Sequence, residues 1–254
     1  MTNLVAANLS VRQGAGRPSH PGPAAGDYLR ALFALGENGR AVTTTEVAGR
    51  VGVRPASATA MLQKLATAEP PLVDYHKNRG ARLTAAGERA ALAIVRCHRL
   101  LELFLHEKLG YGWDEVHDEA DRLEHVISAD LADRLAAALG QPTHDPHGHA
   151  IPAADLSLAI PAALPLSALT PGQSATVLHV SDDNAAALRR LASFNLRPGA
   201  IVTREEAAGD GAVRLRLRAG ALIAVSPADA ARVFVAPPRP ESIDYTQSGD
   251  FDTP

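Results

Sequence analysis

At 254 residues with 46% apolar side chains, the chain can fill one large or two compact domains. It holds no run of about 18 apolar residues to span a bilayer, and its N-terminal stretch lacks the basic start and apolar core of a secretory signal, so a cytoplasmic location is expected. The single cysteine, Cys97, excludes an internal disulfide framework and suits a reducing compartment. A formal net charge of −3 does not announce a nucleic-acid binder, yet residues 26–90 hold nine Lys/Arg against six Asp/Glu, a local excess of +3 that leaves −6 elsewhere.

Residues 1–25 are rich in Gly, Pro, Ala and Ser without apolar periodicity and read as a flexible arm, with order expected near Asp27. From Tyr28, Leu29, Leu32, Phe33 and Leu35 suit one helix face, which Gly36 and the Glu37-Asn38-Gly39 turn would end. A second helix is predicted over 45–51, with Thr44 or Thr45 as N-cap, and Gly52 breaks it. Pro55 then opens a third helix to about Ala66. Residues 72–76 and 81–83 can pair as a hairpin around the basic tip Lys77-Asn78-Arg79-Gly80, and Thr84 caps a long helix. Helix, turn, helix and then hairpin is the order of a winged helix-turn-helix, here over 26–90.

The helical pattern runs from 86 to 109, breaks at Gly110-Tyr111-Gly112 and resumes within 113–139, which predicts an α-helical domain over 91–155. Residues 141–164, dense in Pro and His, read as a linker, with the domain junction at 156–168. Strand signals follow at 174–180, 200–205, 213–218 and 221–225, with turns at Asp210-Gly211 and Ala219-Gly220 and a helix over 184–193. A small, partly open barrel is expected over 169–236 and a disordered tail over 237–254. The class is α+β.

The run Val-His-Asp-Glu-Ala-Asp-Arg-Leu-Glu-His at 116–125 places His117, Asp121, Glu124 and His125 at i, i+4, i+7 and i+8, one stripe of a single helix. On the preceding helix His98 and Glu102 are spaced i, i+4. Antiparallel packing can bring both stripes together into a nitrogen and oxygen coordination shell on rigid helices. A helix rich in Asp, Glu, Arg and His is more often a solvated face, so the argument rests on the two helices together. Cys97 is turned about 100° from His98 and reads as a small buried hydrophobe.

These residues resemble a known family. Asp27-Tyr28-Leu29-Arg30, His98-Arg99-Leu100-Leu101-Glu102 and the run 116–125, with Asp145-Pro146-His147-Gly148-His149-Ala150-Ile151-Pro152, are similar to the diphtheria toxin repressor family of iron- and manganese-dependent regulators, over about residues 26–236. The resemblance implies a homodimer that binds double-stranded operator DNA when a divalent metal activates it, with no small organic substrate and no membrane partner. It implies an ancillary metal site at His98, Glu102 and His117 and a primary site at Asp27, Asp121, Glu124 and His125. A cation there would pin the DNA-binding and dimerisation domains together and fix the spacing of the recognition helices. Iron-responsive members carry Met and Cys at the Asp27 and Asp121 positions, so two aspartates favour Mn(II), with Fe(II) the alternative. Arg30 departs from the family's manganese pattern, which has a glutamate ligand at that position. The third domain resembles the SH3-like (FeoA-like) module of longer members, and Asp182, Asp183 and Asn184 are its candidate ligands; a polar turn capping the next helix explains the same residues.

For DNA, the helix opened by Pro55 is the expected reader. Arg54, the one side chain there with a fork for guanine, is expected at a base edge with Ser57 and Thr59, while Lys64, Lys77 and Arg79 suit phosphates; Thr44 and Thr45 start the helix before it. Ala58, Leu62 and Leu65 are expected in the core. Two rivals stay open: a di-metal carboxylate oxidoreductase, although Glu124 and His125 are adjacent where such enzymes need Glu-x-x-His, and a winged-helix regulator indifferent to metal.

Overall fold

The computed structural model describes residues 22–36, 39–207 and 211–238; the expected arm before 22, the Glu37-Asn38 turn, Asp210 and the tail beyond 238 lie outside them. The chain divides into two compact units, with the boundary after Ala91. Among the described residues no helix is long and apolar enough to cross a membrane.

In the first unit α1 spans Pro23–Leu35 and starts earlier than the sequence suggested, because Pro23 at the first helical position is pre-set for helix and lacks only an N–H that would have no intrahelical partner. Helix α2 (Thr44–Val51) is capped by Thr43 rather than Thr44 or Thr45: the Thr43 hydroxyl accepts from the Glu46 N–H, and the Glu46 carboxylate accepts from the Thr43 N–H at 2.8 Å, a reciprocal capping box. Gly52, at φ 74°, ends it, and α3 (Pro55–Ala66) follows with Arg54 as N-cap. Strands β1 (Val73–His76) and β2 (Gly80–Leu83) pair antiparallel, with His76 opposite Gly80 across the turn 77–79. Gly80 has no substitute: its φ is +85°, and a Cβ would lie 2.5 Å from the Val42 carbonyl oxygen, where Val42 bridges to Ala81 as a third rung. Leu29, Leu32, Val47, Leu62 and Val73 form the core, with Ala90 and Ala91 from the start of α4 (Ala85–Leu109).

The second unit combines helices and a sheet. Helix α4 stops at Gly110 (φ +74°), and α5 (Val116–Leu123) and α6 (Ala129–Ala138) pack on it through two apolar clusters, one around Leu101, Val116 and Leu135, the other around Cys97, Leu100 and Ala136. Burial pushes the Cys97 thiol up to about 11, as expected of a core residue. The stretch 141–164 is not simply a linker: Asp145, His147 and Ile151 are buried and His144 bridges to Ala150. The remaining elements are β3 (Leu164–Pro165), a 3-10 turn (Leu166–Ala168), β4 (Ser174–Val180), α7 (Ala185–Ser193), β5 (Ile201–Arg204), β6 (Val213–Leu217), β7 (Leu222–Val225), α8 (Pro227–Ala230) and β8 (Val233–Val235). All neighbours are antiparallel in the order β3-β8-β4-β5-β6-β7. Strands β3 and β8, which sequence reading missed, are too short to show an alternation.

Candidate metal centre

Helix α4 buries His98 and Glu102 one turn apart, as their spacing requires. Glu102 is fully buried, and its Oε1 stands 3.0 Å from His98 Nε2 and 3.1 Å from His117 Nδ1 of α5. The second ring nitrogen of His98, Nδ1, lies 2.7 Å from Glu124 Oε2 and 3.3 Å from Asp121 Oδ1. His98 thus joins two donor groups: His98, Glu102, His117 and Asp182 form one, and His98, Asp121 and Glu124 the other, each with its ligand atoms within 4.8 Å of one another.

Two expectations need correction. The stripe at 117–125 is not one helix, because α5 ends at Leu123; Glu124 is its C-cap and His125 falls in the following turn, its Nε2 3.4 Å from Glu124 Oε1. Of the three third-domain candidates only Asp182 converges on the cluster, its Oδ2 3.5 Å from His117 Nδ1. Asp183 pairs with Arg232, and Asn184 caps α7 by accepting from the Ala187 N–H at 2.8 Å. Asp27 is half-buried on α1 of the first unit.

Sequence reasoning missed three residues, although the alternating Asp145, His147 and His149 of a proline-rich stretch were a signal. Asp145 Oδ1 accepts from the backbone N–H groups of His147 (2.8 Å) and His149 (2.9 Å), which folds the turn around its carboxylate. His147 Nε2 donates to the Trp113 carbonyl at 2.8 Å, which in the neutral ring leaves the lone pair on Nδ1, 3.8 Å from Glu102 Oε1. A third donor group, Glu102, Asp145, His147 and Asp182, results. Gly148 permits the approach: a Cβ there would sit 2.1 Å from the Leu178 carbonyl oxygen.

Charge compensation inside the cluster is internal. Burial opposes ionisation of Glu102, but His98, His117 and His147 overcome it and hold the carboxyl well below its ordinary range. Burial likewise works against the His117 cation, and the Glu102 and Asp182 carboxylates reverse it, so the imidazole is raised. For His149 burial is again outweighed by Asp145 and Asp182, which lift it to about 9, while burial and the neighbouring His149 press His179 down to about 4. Protons therefore occupy positions that a divalent cation could take. Two buried atoms, Glu102 Oε2 and His147 Nδ1, find no hydrogen-bond partner among the described residues. A buried carboxylate oxygen and a buried imidazole nitrogen without hydrogen-bond partners, in an all nitrogen and oxygen donor set, fit a hard or borderline divalent cation. Cys97, packed with Leu100 and Ala136, supplies no sulfur to it.

In the first unit, Arg54 is exposed at the N-cap of α3 and Ser57 and Lys64 are exposed on it, and Lys77 and Arg79 are exposed at the hairpin tip. Ala58, Leu62 and Leu65 are buried. The Thr59 hydroxyl turns back onto the Pro55 carbonyl at 3.0 Å. Thr44 is half-buried, its hydroxyl 3.3 Å from that of Tyr75, and Thr45 is exposed.

Residues 22–81 match the iron dependent repressor N-terminal DNA binding domain, residues 84–153 its metal binding and dimerisation domain, and residues 164–237 the FeoA domain. The iron-dependent repressor IdeR of Mycobacterium leprae is 32% identical over 191 residues, 70% of this chain and 82% of the relative. Among solved structures, a manganese-dependent transcriptional repressor in complex with manganese is 39% identical with a TM-score of 0.77, covering 84% of this chain and 99% of that one. ScaR with bound Zn2+ is 30% identical with a TM-score of 0.70, covering 83% and 98%. Winged helix, helical metal-binding domain and strand-rich third domain together define a metal-dependent, DNA-binding transcriptional repressor. The chain belongs to the iron-dependent repressor family, which includes the diphtheria toxin repressors.

Proposed function

We propose that this repressor is a homodimer activated by Mn(II) that binds operator DNA of manganese-uptake and homeostasis genes. The observation that carries the metal reading is the buried nitrogen and oxygen cluster with Glu102 Oε2 and His147 Nδ1 unpartnered. His98, Glu102, His117 and Asp182 are proposed as one ligand group, with His147 beside it, and Asp121, Glu124 and His125 as ligands of a second. Asp27 is assigned to the second by the family resemblance alone. A bound cation supplies the positive charge that so many convergent carboxylates lack. The residues' own part is to present hard donors from fixed positions: α4 and α5 hold His98, Glu102, His117 and Asp121, and the turn after α5 holds Glu124 and His125. Mn(II) lies low in the affinity series of divalent metals, so selection for it depends on oxygen donors and coordination number, which this donor set offers. The manganese bound in one similar structure supports that choice, while the names of the mycobacterial relatives keep Fe(II) as the second reading.

Arg54 is proposed for base readout and Lys64, Lys77 and Arg79 for phosphates; Ser57 stands exposed beside Arg54. The decisive experiment is operator binding by chelator-treated protein titrated anaerobically with Mn(II), Fe(II) and Zn(II). Half-maximal binding at the lowest free concentration for Mn(II), relative to typical cellular levels, supports the reading; activation by Fe(II) alone replaces it with the iron reading.

A further inference from the structure

Trp113 belongs by sequence to the loop between α4 and α5, yet it is buried in the core of the strand-rich domain with Leu188, Leu191 and Leu196. It is also tied to the turn that carries His147. The indole Nε1–H donates to the Pro146 carbonyl at 2.9 Å, and the Trp113 carbonyl accepts from His147 Nε2 at 2.8 Å. The two rings lie 5.3 Å apart, and the Arg197 guanidinium lies 4.9 Å from the indole centre. The next residue, Asp114, pairs with Arg189 of α7 at 2.6 Å. On the other side of the turn, the Val180 N–H at the end of β4 donates to the His147 carbonyl at 2.9 Å, two residues before Asp182.

We propose that Trp113 is a positioning residue of the metal centre: its seat in the strand-rich core, together with its bonds to Pro146 and His147, holds Asp182 and His147 against Glu102 and His117. The inference rests on the cluster being a metal site. Asp182 is the one donor of its ligand group that the strand-rich domain provides. Helices α4 and α5 cannot place it, because it is carried on the segment between β4 and α7. What places it is the docking of that domain on the helices, and Trp113 is the side chain that crosses from the helical loop into the strand-rich core. By its carbonyl Trp113 also holds the Nε2–H of His147 and so orients the ring, with Nδ1 3.8 Å from Glu102 Oε1.

The test is a calorimetric Mn(II) titration of the full chain as wild type, Asp182→Ala, Trp113→Ala and the double substitution. Asp182→Ala should weaken one Mn(II) binding event by about 10–100-fold, and Trp113→Ala should weaken that same event by a similar factor, the range usual for groups that orient ligands. Because Trp113 acts through Asp182 and its neighbours, the double substitution should be no more than about threefold weaker than the weaker single one, a strong departure from additivity. Multiplying losses, or a Mn(II) isotherm that Trp113→Ala leaves unchanged, would overturn the proposal. If Trp113→Ala abolishes cooperative unfolding, Trp113→Phe takes its place in the same cycle. It keeps an aromatic ring in the core and removes the donor to Pro146, and the same non-additivity is expected with a smaller loss of about 3–10-fold. If Asp182→Ala itself leaves every Mn(II) event unchanged, the ligand assignment fails and the proposal falls with it; an intact Asp182 effect with silent Trp113 variants overturns the role of Trp113 alone.

Discussion

The Nδ1 of His98 lies 2.7 Å from Oε2 of Glu124, so an imidazole on α4 reaches the carboxylate that ends α5. The same ring meets Glu102 on its other nitrogen, so His98 of one proposed ligand group touches Glu124 of the other. Perturbing either group should be felt in the other, which makes the following outcomes specific.

His125→Ala removes a proposed ligand that is held 3.4 Å from Glu124 in the turn after α5, outside the apolar clusters of the helices. The protein should stay folded and lose metal-activated operator binding. Gel-shift titration with Mn(II) checks this, and strong binding at ordinary metal levels would remove His125 from the ligand set.

Glu102→Gln keeps the volume of a fully buried side chain but deprives His98 and His117 of their shared carboxylate. The metal-free protein should lose about 1–3 kcal/mol, the cost of stranding buried polar groups. The larger sign is the response to metal: at 100 times the dissociation constant the wild type should gain about 2.7 kcal/mol, and the variant almost none. Thermal unfolding with and without Mn(II) separates the two effects.

The pH dependence follows from His149 and His117. Both are raised in the folded state, so each stabilises the metal-free protein fully below the unfolded value near 6.5, and that contribution is lost as pH rises through the folded value, about 9 for His149. The metal-free protein should lose up to roughly 3 kcal/mol between pH 6.5 and 9.5 from His149, an upper bound set by its shift. Metal binding runs the other way, because protons on His117 compete with the cation, and the gain in unfolding temperature on adding Mn(II) should grow as pH rises. A metal-free unfolding temperature that rises across it contradicts the assignment, and His149→Asn should flatten the slope.

Arg54→Ala should reduce discrimination between operator and random DNA by about 1–3 kcal/mol, as for loss of a forked base contact. Lys77→Ala should weaken both kinds of binding alike and lower the salt slope by about one unit. Fluorescence anisotropy at several salt concentrations distinguishes them; equal losses on both DNAs for Arg54→Ala make it a phosphate contact.

Periodicity in the sequence was enough to pair His98 with Glu102 and His117 with Asp121, because a helix puts residues four apart on one face whatever surrounds it. It was enough as well for the winged helix, where Gly52, Pro55 and Gly80 each act through backbone torsions that are local properties of the chain. It did not reveal that α5 stops at Leu123, so that a turn and not a stripe carries Glu124 and His125. Nor could it choose Asp182 over Asp183 and Asn184, since three adjacent polar residues look alike until one meets His117, another Arg232 and the third a helix N-terminus. His147 and Trp113 were hidden for the same reason: a histidine in a proline-rich stretch and a tryptophan in a loop acquire their roles from chain segments that only packing brings beside them. Spacing along one element is decided by bond geometry, whereas convergence of separate loops on a buried charge is decided by which apolar surfaces must be covered together, and that is a property of the whole folded unit.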